Sequence, residues 1–187
     1  MNKTIMQFFE WNLPPDGGHW NFLKDHSKTL SDVGIDTLWL PPAYKGAGGN
    51  NDVGYDVYDL YDLGEFDQKG TVRTKHGTKD EYINAIDEAH KNGIKILADI
   101  VLNQKGGADE SEWVKAVKVD PKDRNNKISG EYDIKAWTKF NFAGRGNSYS
   151  DFKWNWECFD GVDWDQNKKE SAIFEFTGDR KSTRLNS

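Results

Sequence analysis

Twice in the first hundred residues, a helix-spaced apolar stripe stops at a glycine and an isoleucine then opens a run of β-formers. Trp20, Leu23, Ser27, Leu30 and Val33 recur at helical spacing before Gly34, and Ile35–Leu40 (IDTLWL) follows, stopped by Pro41-Pro42. The order repeats with Thr78–Asn92, then Gly93, then Ile94–Leu102. Thr78 and Glu81 have the spacing of a capping box, and Tyr82, Ile83, Ile86, Ala89 and His90 form the predicted apolar stripe. Ile5–Phe9 (IMQFF) reads as a strand before the first helix. Strands that alternate with helices pair in parallel, so the pattern predicts an α/β fold built from βαβ units. The apolar character of the strands predicts that both of their faces are meant to be covered.

The third run, ADIVLNQ, carries a carboxylate inside it and two amides at its tip. If the strand continues to Leu102, Leu97, Asp99, Val101 and Asn103 share one side, and Ile96, Ala98, Ile100 and Leu102 the other. In a barrel of parallel strands one side points inward and the active site lies at the C-terminal strand ends, where Asn103 and Gln104 stand.

The chain has 187 residues with 31 acidic and 25 basic side chains, a net charge of -6. That balance argues against nucleic acid or an anionic membrane as partner, since both need a basic surface. One cysteine, Cys158, gives no disulfide framework. The first residues, MNKTIMQFFEW, lack the apolar core of a signal peptide, which predicts a cytoplasmic location or a secreted parent whose leader has been removed. Eight Trp, seven Tyr and ten Phe are present, many beside charged residues, as in WNWECF and DWD. Such rings stack on the C–H faces of sugars, although for any single ring core packing is the commoner role.

From Lys105 to Asp165 the chain turns rich in Asp, Lys, Trp, Gly and Asn, with short expected strands such as Ala136–Phe142. It reads as an irregular β-rich insertion. Two other readings fail on spacing. Asp163, Asp165 and Asn167 start an EF-hand-like loop, but Lys168 stands where glycine is needed and Phe174 where the bidentate Glu belongs. Gly46, Gly48 and Gly49 do not complete a dinucleotide fingerprint.

MQFFEW, IDTLWLPPAYKG, DVGYDVYDLYDLGEFDQKGTVRTKHGTK, DIVLNQKGGAD, VDPKDRN, AWTKFNFAGRG and YSDFKWNWECFDGVDWD occur in that order over most of the chain. Together they resemble the α-amylases of glycoside hydrolase family 13, of the bacterial liquefying type. The resemblance implies the N-terminal part of a (β/α)8 TIM barrel, with three strands over residues 1–102. The start of an inserted β-rich domain follows over 103–178, and residues 179–187 (DRKSTRLNS) match nothing in the family and read as a scar. It implies hydrolysis of α-1,4 bonds in starch-type glucans, a carbohydrate as the sole partner, and calcium as cofactor. Asp99 then matches the aspartate in the floor of the site, which pairs with an arginine from a later strand. Tyr55 matches the aromatic that stacks beside the cleavage point. Asn103 and Asp160 match metal ligands. Gln104 stands where the family has a substrate-binding histidine; its amide can still donate a hydrogen bond but cannot carry charge. No Asp or Glu matches the family's catalytic carboxylates, which fall on later strands, so the resemblance implies that these residues alone do not cleave.

Overall fold

The structure is a computed structural model that describes residues 3–178; the tail expected as a separate segment at 179–187 lies outside the described residues. The chain divides into two compact units, Met1–Gly107 with Ala143–Ser150, and Ala108–Phe142 with Asp151–Ser187.

The first unit runs β1 (Ile5–Gln7), α1 (His19–Asp32), β2 (Thr37–Leu40), β3 (Lys45–Gly46), β4 (Val57–Asp59), α2 (Lys79–Lys91) and β5 (Lys95–Ala98). β1, β2 and β5 form a parallel sheet in that order, and β3 and β4 a small antiparallel pair. The helix ends are set locally. Gly34 and Gly93 take φ of 88° and 77° just past the two helices, a conformation that is strained for a residue with a Cβ. Thr78 Oγ1 accepts from Glu81 N while Glu81 bonds the Thr78 backbone, the expected capping box. Trp20, Leu23 and Ser27 of α1 are buried, as are Tyr82, Ala85 and Ala89 of α2. Ile83 and His90 of the predicted stripe instead face solvent, and Ala85 takes the core position.

Leu38 and Leu40 point into the core with Phe8, Trp20, Leu23, Ala85, Ala89 and Ile94. The opposite face of the sheet is open: Trp39 is 38% exposed and Leu97, its register partner, 47%. The expectation of two covered faces therefore holds for the helix side only. β5 is also shorter than expected, ending at Ala98 rather than Leu102. Its one neighbour among the described residues, β2, stops at Leu40 before Pro41-Pro42, and Leu40 pairs with Ala98. With no ladder partner beyond that point, residues 99–103 leave the strand. Asp99 and Asn103 lie past its end, not on it.

The long loop between β2 and α2 is organised by buried charge. Lys45 Nζ donates to the carbonyls of Phe66, Thr71 and Val72 at 3.1, 2.6 and 2.6 Å and pairs with Asp62 at 3.4 Å, both side chains fully buried. Burial pushes the Lys45 ammonium below its usual range, and Asp62 opposes that shift. Asp62 Oδ1 accepts from the amides of Gly64 and Glu65, and Gln68 Nε2 bridges Asp59 and Asp62. Arg145 Nε donates to Asp59 Oδ2 at 2.7 Å.

The second unit is an antiparallel sheet of β6 (Glu110–Val119), β7 (Tyr132–Lys139), β8 (Gly161–Asp165) and β9 (Glu170–Phe176), in the order β7-β6-β9-β8. Val114, Ala116, Ile134, Ala136, Phe174 and Phe176 alternate inward and form its core. The strand expected at Ala136–Phe142 is β7, shifted toward the N-terminus, because its register is set by pairing with β6.

Candidate active site

Asp99 sits one residue past β5, on the open side of the parallel sheet. Its Oδ2 accepts from Tyr55 Oη at 2.7 Å and from Trp39 Nε1 at 3.2 Å. The carboxylate is thus held by two neutral donors from two different segments, one on β2 and one in the loop before β4. Tyr44, buried beside them, accepts a 2.7 Å hydrogen bond from the backbone amide of Val101, which anchors the chain just past Asp99. Burial raises the Tyr44 phenol to about 12, and the Asp99 charge adds to the shift. Tyr55 is raised as well, by desolvation first and then by its bond to the Asp99 carboxylate. Both phenols stay protonated at neutral pH, so Tyr55 remains a hydrogen-bond donor.

Tyr55 stacks on Trp11, with ring centroids 5.9 Å apart and planes 8° from parallel. Trp11 is 64% exposed and offers a flat apolar face beside the carboxylate. An aromatic face next to a positioned hydrogen-bonding group is the arrangement that binds a sugar ring.

Gln104 comes to the same place. Its Nε2 donates to the Tyr55 carbonyl at 3.0 Å, and its Oε1 accepts from Asn103 Nδ2 at 3.1 Å. Of the five residues expected from sequence, the structure brings Tyr55, Asp99, Asn103 and Gln104 together in the first unit. Asp160 lies in the second unit, just before β8, with its carbonyl bonded to the amide of Phe176.

Sequence reasoning missed Trp11, Trp39 and Tyr44. Trp39 had a signal, since two-residue alternation in TLWL puts it opposite Leu38 and Leu40. Trp11, in an irregular segment, had only its polar surroundings. Lys105 is a further absentee: it donates to the Tyr58 carbonyl at 2.6 Å, and burial brings its ammonium down to about 8.

Calcium takes six to eight oxygen ligands. Among the described residues no group of three or more His, Cys, Asp or Glu is arranged to hold a metal ion. Asn103 lies in the first unit and Asp160 in the second.

An α/β unit with a carboxylate and aromatic rings gathered where its parallel strands end is the N-terminal part of a TIM-barrel enzyme. The pattern of the α-amylase catalytic domain matches residues 5–186, and the chain belongs to that family. It is 60% identical to an α-amylase of Geobacillus stearothermophilus over 177 residues, which covers 95% of this chain and 32% of that protein. It is 57% identical to an α-amylase of Bacillus licheniformis, covering 95% of this chain and 35% of the relative. The chain thus spans about a third of the length of the curated relatives it matches. Among solved structures, a truncated alternansucrase from Leuconostoc mesenteroides superposes with a TM-score of 0.64 at 26% identity, over 73% of this chain and 13% of that one. An alternansucrase in complex with isomaltotriose aligns equally well.

Proposed function

We propose that the chain is part of an α-amylase-like glycoside hydrolase acting on α-1,4 bonds of starch-type glucans, and that these 187 residues grip the glucan without cleaving it. The observation that carries this reading is the Trp11–Tyr55 stack beside Asp99, which offers a ring face and an oxygen acceptor to one sugar. The high identity to two α-amylases and the isomaltotriose complex of a structural neighbour support a carbohydrate ligand. A retaining glycosidase needs two carboxyl groups about 5 Å apart across the scissile bond. Asp99 is neither of these: it is the floor carboxylate, already engaged by Tyr55 and Trp39, and the catalytic pair of the family falls on later strands. In this reading the second unit begins an inserted domain, Gln104 contacts substrate through its second amide hydrogen, and the cytoplasmic location is retained.

Titration of the purified chain with maltoheptaose, followed by tryptophan fluorescence, is expected to saturate. Trp11→Ala is expected to weaken binding at least tenfold. Release of reducing sugar from soluble starch is expected to stay at the buffer level. No fluorescence response would remove the binding reading, and hydrolysis by material free of host amylase would remove the claim of inactivity.

A further inference from the structure

The first turn of α1 has no side-chain cap: Gly18 stands at the N-cap and makes no capping bond. The loop before α2 does that work. The carbonyls of Lys75 and His76 accept from the amides of Gly17 and Trp20, each at 3.2 Å. Two imidazoles lie in this seam. His19 and His76 have ring centroids 5.4 Å apart, and both pack on Trp20 at 5.3 Å. His76 is 2% exposed. Its Nε2 faces the Val53 carbonyl at 3.4 Å, and its Nδ1 is buried with no hydrogen-bond partner, as is Nε2 of His19.

The same loop reaches the sugar platform from two sides. Val53 is two residues from Tyr55, and Lys75 Nζ donates to the carbonyl of Trp11 at 3.3 Å. We propose that His19 and His76 form an acid-opened latch on the Trp11–Tyr55 platform: neutral, they hold loop 73–78 against α1 and so fix both rings; protonated, they release it. The platform's role in sugar binding rests on the function proposed above; the latch itself does not.

Charge around His76 favours its neutral form, whereas at His19 the Phe8 carbonyl and Asp16 favour the protonated ring and burial outweighs them. A proton on either ring adds a cation at a helix N-terminus, where the dipole is already positive. Lys75 adjoins His76 and disfavours its charge, as does His19. From α1's approach, Asp16 faces His19, but its Oδ1 is engaged by the Gly18 amide. Arg73 binds the Pro15 carbonyl, Glu81 of α2 is occupied by Thr78 and Asn21, and Phe8 and Tyr82 present rings without charge at acid pH. Burial lowers both imidazoles, His76 to about 4. A His that returns to its usual 6.5 when the loop opens binds protons in the open state first. The closed state is therefore fully favoured above about pH 6.5 and loses ground as pH falls toward 4. From His76 alone, opening grows about 30-fold between pH 8 and pH 5.

Amide hydrogen exchange of the whole chain, corrected for intrinsic rates, tests this. Protection of residues 50–58 and 73–78 is expected to fall at least tenfold from pH 8 to pH 5, while α2 beyond its first turn keeps its protection. His76→Gln, which keeps an N–H donor and does not titrate, is expected to flatten that profile; His19→Gln is the second variant if the first does not fold. Equal protection of the wild type at both pH values would overturn the latch, as would variants that lose protection in the same window. Loss of protection at pH 5 in a chain that binds no maltoheptaose at pH 8 would support the latch and remove the sugar reading alone.

Discussion

Tyr55 does two things with one ring: its face lies on Trp11 and its hydroxyl ties down Asp99. Tyr55→Phe separates them. The stack is expected to survive in the near-ultraviolet circular dichroism, while urea denaturation at pH 7 shows a loss of about 1–2 kcal/mol for the missing bond to a charged acceptor. Asp62 is a harsher case, because removing it takes away the carboxylate paired directly with the fully buried Lys45 ammonium and leaves only the weaker influence of Asp59 and Asp67. Asp62→Ala is expected to cost about 3–5 kcal/mol in the same measurement, and Lys45→Met with Asp62→Leu to recover part of that. These two residues also mark how far a sequence can be read. Tyr55 and Asp99 were legible because their motifs carry them. The Lys45–Asp62 pair was not, since nothing local to AYKG or LYDLG says that the two charges meet inside a loop.

Among the elements, the helices were the most legible. Thr78 with Glu81 and the glycines at 34 and 93 act within one turn of chain, so their meaning is complete in the sequence. Thr78→Ala is expected to lower the unfolding free energy by about 1 kcal/mol, with increased amide exchange confined to the first turn of α2. The strands were less so, because a strand's length belongs to its neighbour. β5 ends where β2 runs out of partners at Leu40, and the apolar run ILADIVL gives no hint of that. α2 shows a subtler miss: Ile83 and Ala85 both fit a stripe, and only the direction of approach of β5 and α1 decides that the smaller one is inside.

At the scale of the molecule, the parallel sheet of the first unit has one dry face and one wet one. Trp39 and Leu97 on the wet face, with the outer edges of β1 and β5 unpaired among the described residues, make a surface that other chains can pair with or cover. Sedimentation velocity is expected to show self-association that grows with concentration in the micromolar range, and Leu97→Lys to reduce it; a monomer at every concentration would contradict this. The division into units has a different consequence. Ala143–Ser150 belongs with residues made much earlier, and Arg145 meets Asp59 across 86 positions of chain. On the ribosome, Asp59 waits without its guanidinium while the first two strands of the second unit are being synthesised. The unit that begins first is therefore the one that must be finished late, and its nascent form holds the Asp59 carboxylate without its arginine until residue 145 has cleared the exit tunnel.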